Sequence, residues 1–237
     1  MGLAGRSALV TGASRGIGAA IARRLVQEGA RVGLVARPSA ALDTLAAELG
    51  SAATAIAVDV TAADAAASAL HALRAAIGSG PDILVNNAGA FFVADVPSTT
   101  RASLQAMLEL NLVAPFVFAS AVVPGMRAAG QGHVVTIGSV ADRAVFPGNA
   151  AYAASKHGLR ALHEVLREEL RGTGVRVTLV SPGSVDTDLW DPIDPDNQHG
   201  FTPRARMLAP AAVADAVIFA LRAAPTVNVD ELRLSRA

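Results

Sequence analysis

Short apolar runs rich in Val and Ile recur along the chain: Ala8–Val10, Val32–Ala36, Ala55–Val58, Ile83–Val85, Val134–Ile137, Val175–Val180 and Val227–Leu232. They are continuous rather than alternating, which is the signature of strands covered on both faces. Between most of them lie longer segments with Leu, Val and Ile at helical spacing, such as Ala19–Glu28, Ala40–Leu49 and Ala62–Ile77. These segments are rich in Ala, but their periodicity makes them helices and not low-complexity tracts. Strands alternating with helices predict an α/β fold with a parallel sheet. Right-handed crossovers then give a doubly wound, seven-stranded sheet flanked by helices on both faces. Ligands of such sheets bind beyond the carboxyl ends of the strands, at the point where strand order reverses. The turns that leave the strands are therefore where chemistry is expected.

No linker, repeat or block of like charge divides the 237 residues, so a single domain over 1–237 is expected. With 52% hydrophobic residues the chain is unlike disordered sequences. Its 20 basic and 20 acidic side chains cancel, leaving no basic footprint for nucleic acid or an anionic membrane. There is no Cys, and the five His lack the spacing of metal ligands. No signal-peptide pattern precedes Ser7, and Arg6 stands where a myristoylation motif wants Ser or Thr. The longest uncharged run lies between Glu109 and Arg127 and contains Asn111, Pro115 and Pro124, which suits a buried helix better than a membrane span. A soluble, cytoplasmic protein is expected.

The first strand runs into Thr11-Gly12-Ala13-Ser14-Arg15-Gly16-Ile17-Gly18, and a helix follows at once. Three glycines allow a tight turn and let backbone N–H groups approach an anion. The helix N-terminus adds free donors and a positive dipole end, which suits a pyrophosphate. The same glycines would also serve a plain strand–helix turn. A P-loop is excluded, because no Gly-Lys-Ser/Thr follows. The second strand ends Val35-Ala36-Arg37, where an acidic residue usually accepts from the adenosine ribose of NAD. Arg37 and Arg15 could instead clamp a 2′-phosphate, so NADP(H) is favoured over NAD(H), unless both are simply solvated.

The chain has one Tyr, Tyr152, and one Lys, Lys156. The segment from Ala150 to Arg171 reads as a helix, so the two share a face. Every other positive charge is carried by Arg, and a structural ion pair would tolerate Arg here too. A compact ammonium is needed where a ribose hydroxyl must be reached and a phenol pKa lowered. Tyr152 would then exchange a proton with a carbonyl oxygen as hydride arrives or leaves. A Tyr packed on a helix beside a solvated Lys remains the plainer alternative.

With these motifs together the chain resembles the short-chain dehydrogenase/reductase family, of Rossmann type, over nearly its whole length. Thr11-Gly12-x-x-x-Gly16-x-Gly18 is similar to the family's cofactor turn, and Asp59-Val60 to its adenine-contact pair. Asn86-Asn87-Ala88-Gly89 is similar to the segment after its fourth strand, and Asn111 stands where it carries an Asn. Ser139 is similar to its catalytic Ser, and Pro182-Gly183-x-x-x-Thr187 to the segment that holds the nicotinamide end. Gly138 and Asp142 depart from the pattern, where the family often has Ser and Gly. The resemblance implies that Ser139 polarises the substrate oxygen, Tyr152 is the acid/base and Lys156 binds ribose and depresses the Tyr152 pKa. It implies that Asn111 orders a water leading from Lys156, although a helix-interior amide satisfied by backbone would look the same. It also implies a homotetramer or homodimer, through the helices of Asn111 and Tyr152 and a last strand near Val229–Leu234.

The substrate lid is expected at Asp188–Met207, with Trp190, Pro192, Pro195, His199, Phe201 and Pro203. Trp190 either faces an apolar substrate or pins the lid to the core. Phe91, Phe92, Val145 and Phe146 either line the pocket or belong to the core. Arg143, Arg204 and Arg206 either meet an acidic group or an acyl-carrier partner, or are solvated. The leading reading is an NADPH-dependent reductase of a small carbonyl compound. An NAD-linked alcohol or sugar dehydrogenase is the alternative within the class, and a non-catalytic dinucleotide sensor is the alternative outside it.

Overall fold

The computed structural model describes residues 2–237. Seven strands form one parallel sheet: β1 Ser7–Thr11, β2 Arg31–Ala36, β3 Ala53–Ala57, β4 Ile83–Asn86, β5 Gly132–Ile137, β6 Val175–Pro182 and β7 Glu231–Leu234. Their order is β3-β2-β1-β4-β5-β6-β7, so the chain reverses its direction of travel between β1 and β4. The helices are α1 Gly16–Gln27, α2 Ala40–Leu49, α3 Ala65–Ile77, α4 Arg101–Leu108, α5 Ala114–Ala129, α6 Ala150–Glu169 and α7 Pro210–Arg222. This is the doubly wound α/β fold that the alternation of strand and helix predicts.

The strands are apolar throughout because both faces are covered. Ala8 and Val10 join a core built with α1, α2 and α7, whereas Leu9 between them joins the core built with α3 and α5. Val135 and Val134 divide between the same two cores. Successive side chains of a strand point to opposite faces, so each strand feeds two layers.

Several boundaries differ from the sequence reading, and three departures have a definite physical cause. The third helix starts at Ala65 rather than Ala62, because Asp59 first closes a turn through Thr61 N (3.0 Å) and Thr61 Oγ1 (2.8 Å). The last strand starts at Glu231 rather than Val227. The Asn228 side chain accepts from Val177 N (2.8 Å) and donates to Val177 O (3.0 Å). A side-chain amide thus occupies ladder positions, and backbone pairing begins only at Leu179–Glu231. The uncharged run Glu109–Arg127 is not one regular helix. A wider π-helical turn, Glu109–Val113, separates α4 from α5. By length and composition the continuous helix Arg101–Ala129 could cross a membrane. Here it buries Ala114, Phe118, Val122 and Met126 in the core against the sheet.

Candidate active site

At the carboxyl ends of β1 and β4, where strand order reverses, lies a cleft of about 1110 Å³. Its floor is the glycine turn. Gly12 has φ +65°, and a Cβ there would lie 2.8 Å from Ala88 Cα. A Cβ on Gly18 would lie 2.2 Å from Gly12 O, so α1 can start close to the turn only because that residue has no side chain. Gly12, Ser14, Arg15, Gly16 and Ile17 line the cleft, while Gly18 is buried beneath it. No side chain caps α1, so its first N–H groups stay available to an anion.

The segment after β4 is stapled to this turn. Thr11 Oγ1 accepts from Asn87 N and Ala88 N, both at 3.0 Å, and donates to Val85 O at 3.3 Å. Asn87 Nδ2 donates to Thr11 O at 2.9 Å and Gly12 O at 3.2 Å. Asn87, Ala88 and Gly89 therefore present their backbone to the cleft. The bracing role of Thr11 was not read from the sequence, because a Thr ending a buried strand carries no pattern of its own.

Arg37, Asp59 and Val60 line the same cleft after β2 and β3. The Asp59 carboxylate accepts two hydrogen bonds from Thr61, which hold its pKa below the usual value, with a smaller contribution from Arg37. Arg15 lies 3.5 Å from Asp188. Thr187 brings the segment after β6 over the turn, its methyl 3.3 Å from where a Gly16 Cβ would stand. Pro182 closes β6 against Leu234, and Gly183 N donates to Leu234 O at 2.8 Å.

Tyr152 and Lys156 stand on one face of α6 and both line the cleft. Ser139 Oγ accepts from Ala141 N at 3.1 Å, and its hydroxyl acts on the Tyr152 phenol. Burial pushes the Tyr152 pKa above the ordinary phenol value. The Ser139 hydroxyl pulls it back, and the Asp142 carboxylate adds to the rise. Lys156 is buried, donates to Ile137 O at 3.1 Å and stands 5.8 Å from the Tyr152 ring centroid. Burial pushes its pKa down to about 8, against the attraction of Asp142. The sequence predicts a phenol depressed by the ammonium together with an oxidised nicotinamide; in the chain alone, burial is the largest influence and raises it.

Asn111 lies in the π-helical turn and is fully buried. Its Oδ1 accepts from Ala90 N at 2.8 Å. Its Nδ2 donates to Ala90 O and to Ser155 Oγ, both at 3.0 Å. Ser155 in turn donates to Tyr152 O at 2.7 Å. Asn111 thus joins the loop after β4 to the turn of α6 that carries Tyr152.

The lid is cross-braced. Arg204 Nη1 donates to Asp186 Oδ1 at 2.7 Å and to Thr187 O at 3.2 Å, and Nη2 pairs with Asp191. Trp190 Nε1 donates to Val185 O at 3.0 Å. Arg143 binds Asp142 at 2.7 Å and pairs with Glu231. Arg143 and Arg204 are therefore paired with carboxylates of the chain itself rather than simply solvated; Arg206 is exposed. Among the described residues no cluster of His, Cys, Asp and Glu could hold a metal ion.

A cleft at the reversal of a parallel sheet, a glycine turn on its floor and a Tyr–Lys pair at its wall define a dinucleotide-dependent oxidoreductase. The short chain dehydrogenase family profile matches residues 6–198, and the chain belongs to that family. It is 37% identical to glycine betaine reductase ATRR of Emericella nidulans over 97% of its own length, although it spans only 18% of that protein. It is 34% identical to an uncharacterized oxidoreductase of Staphylococcus epidermidis, covering 96% of this chain and 95% of the other. Among solved structures it resembles serine dehydrogenase in closed form with NADP+, with TM-score 0.88 and 31% identity over 96% of this chain and 94% of the other. A metagenomic short-chain oxidoreductase in complex with NADP is 37% identical, with TM-score 0.84 over 99% and 98% of the two chains. The protein is accordingly an NAD(P)-dependent oxidoreductase.

Proposed function

We propose that the protein is an NADPH-dependent carbonyl reductase. The observation that carries this reading is one cleft lined by Tyr152, Lys156, Arg15 and Arg37 together. The cleft fits a dinucleotide. Gly12 and Gly16 leave its floor without side chains, and a Cβ on Gly89 would stand 3.2 Å from Asn111 Oδ1 and 3.9 Å from Lys156 Nζ. The N-terminus of α1 would hold the diphosphate, Asp59-Val60 the adenine, and Arg15 and Arg37 the 2′-phosphate. Lys156 would hold the ribose of the nicotinamide, with Asn87, Ala88, Gly89, Pro182, Gly183 and Thr187 around that end. The NADP named in two solved relatives supports the preference, as does the pairing of Ala36 with Arg37 at the end of β2.

When bound, the reduced nicotinamide supplies hydride to a carbonyl carbon. Tyr152 donates its hydroxyl proton to the carbonyl oxygen. Ser139 donates a hydrogen bond to that oxygen as negative charge develops. With its pKa raised by burial, Tyr152 stays protonated at neutral pH, which favours proton donation and hence reduction. Asn111 and Ser155 fix the turn of α6 that carries the phenol.

The chain reads as a soluble cytoplasmic protein that assembles as a homodimer or homotetramer. Exposed Phe116 on α5 and Val165 on α6 support an apolar contact between copies. The test of function is NADPH and NADH oxidation, followed by absorbance, against a panel of aldehydes, diketones and ketones. Turnover with NADPH is expected. Turnover with NADH alone would assign the site to an NAD-linked alcohol or sugar dehydrogenase instead.

A further inference from the structure

The chain's only Tyr, only Trp and two of its seven Phe form one line. The ring centroid of Tyr152 lies 4.9 Å from that of Phe91, with the planes at 70°. Phe91 lies 5.1 Å from Trp190 at 63°, and Trp190 lies 6.1 Å from Phe201 at 70°. These are edge-to-face contacts, which hold each ring in a fixed attitude. All four rings are only half-buried, so the line keeps part of its surface open. The Trp190 N–H is already bound to Val185 O. The indole therefore has only apolar surface left to offer.

The surrounding rim is apolar too. Val93, Val145, Phe146 and Leu189 are exposed. The loops of Val93 and Phe146 are tied together where Ala94 N donates to Gly148 O at 2.8 Å. Charge near the rim is cancelled. Arg143 is shared by Asp142 and Glu231, Arg204 by Asp186 and Asp191, and Arg15 lies beside Asp188. A substrate carboxylate would have to break one of these pairs to reach Arg15, Arg143 or Arg204.

We infer that the substrate is an uncharged ketone or aldehyde with an aryl group next to its carbonyl, seated against Phe91 and Trp190. The inference rests on the carbonyl-reductase reading. Phe91 is the ring in contact with Tyr152, so a carbonyl compound held at Tyr152 has it as the neighbouring aromatic surface. A flat apolar group there covers surface that otherwise stays in water. In the reaction the carbonyl carbon gains hydride from NADPH and the oxygen gains the Tyr152 proton, giving the aryl alcohol and NADP+.

Trp190 makes binding measurable without turnover, because it is the chain's only indole. Acetophenone is titrated into the protein with NADP+, which cannot reduce it, and Trp190 emission is followed with free tryptophan as the control. Acetoacetate is titrated in parallel. Saturable quenching by acetophenone and none by acetoacetate is expected. Steady-state rates with NADPH should favour acetophenone at least tenfold in kcat/KM. Phe91→Ala should raise the acetophenone KM about tenfold, and Phe91→Leu, which keeps apolar bulk without the ring, should raise it less. Phe219→Ala, at an exposed ring on α7, should change nothing. Acetoacetate binding or reacting as well as acetophenone would overturn the inference, as would an unchanged KM in both Phe91 variants. Turnover of other carbonyl compounds without acetophenone quenching would also overturn it, while leaving the reductase reading intact. Saturable quenching with no NADPH turnover of any carbonyl would keep the aryl site and overturn the reductase reading.

Discussion

The Ser181 hydroxyl donates to the buried Asp142 carboxylate at 2.5 Å, which ties the end of β6 to the turn that follows Ser139. The other Asp142 oxygen accepts from Arg143, and Arg143 pairs with Glu231 on β7. The arrangement also explains Gly138, where a Cβ would lie 2.7 Å from Ser181 Oγ and 3.0 Å from Asp142 Oδ2. The two departures from the family pattern around Ser139 are thus one feature: a carboxylate has moved in where a side chain at 138 would stand. Removing one partner of a buried pair leaves the other unsatisfied. Asp142→Asn should therefore destabilise the fold by about 3 kcal/mol, measured by urea unfolding. The same substitution removes a negative charge that raises the pKa of both Tyr152 and Lys156. Reduction needs a protonated Tyr152, so the alkaline fall of its rate should move to lower pH.

Tyr152→Phe removes the proton donor and keeps the ring that contacts Phe91. Turnover should fall by at least about a hundredfold, the usual weight of a positioned acid. Cofactor affinity, measured by fluorescence titration with NADPH, should stay nearly unchanged. A fully active variant would remove Tyr152 from the mechanism.

Arg37→Asp should reverse the cofactor preference. Hydrogen bonds to a charged group contribute about 1.5–3 kcal/mol, so kcat/KM with NADPH should fall roughly tenfold to a hundredfold. The NADH value should hold or rise, because a carboxylate there can accept from a ribose hydroxyl. An unchanged ratio would place the 2′-phosphate elsewhere.

Two histidines outside the cleft predict an acid sensitivity. His133 hydrogen-bonds Thr178 Oγ1 at 2.7 Å, and burial pushes its pKa down to about 3. His163 hydrogen-bonds Thr136 Oγ1 at 3.3 Å, and burial pushes its pKa down to about 4. Both titrate near 6.5 once unfolded, so below that pH the unfolded chain binds more protons than the folded one. Stability should be full above pH 6.5 and fall by roughly 1.4 kcal/mol per histidine for each pH unit below it. The lowered carboxylates Asp59 and Asp95 act only further down, near their own range. Urea midpoints at pH 7 and pH 5 test this, and His133→Gln should flatten the slope.

The glycine turn, the strand–helix alternation and the four-residue step from Tyr152 to Lys156 were legible because each is a local pattern set by backbone geometry. The start of β7 was not, since Val227 and Val229 look like strand residues. Only the contact of Asn228 with Val177, 51 residues away, decides that pairing begins later. The Asp142 network was hidden for the same reason. Its members belong to the turn after β5, to β6 and to β7, and no spacing within one element links them. The aromatic line was half legible: Trp190 stood out by being alone, but its contact with Phe91 depends on how the lid folds back.

The π-helical turn at Asn111 has one more consequence. Such a turn holds one residue more than an α-helical turn would. Deleting Leu110 would let α4 and α5 fuse into a single even helix, with every backbone bond in regular register. The flanking helices would keep their faces, because the wider turn absorbs its extra residue without turning α5 against α4; only residues inside the turn would be re-aimed, by up to about 100°, the angle of one helical step. Asn111 could then no longer keep both Ala90 and Ser155 while the apolar residues of α5 kept their places in the core. The smoother helix would be the poorer enzyme, because at this point local regularity and the geometry of the site pull in opposite directions.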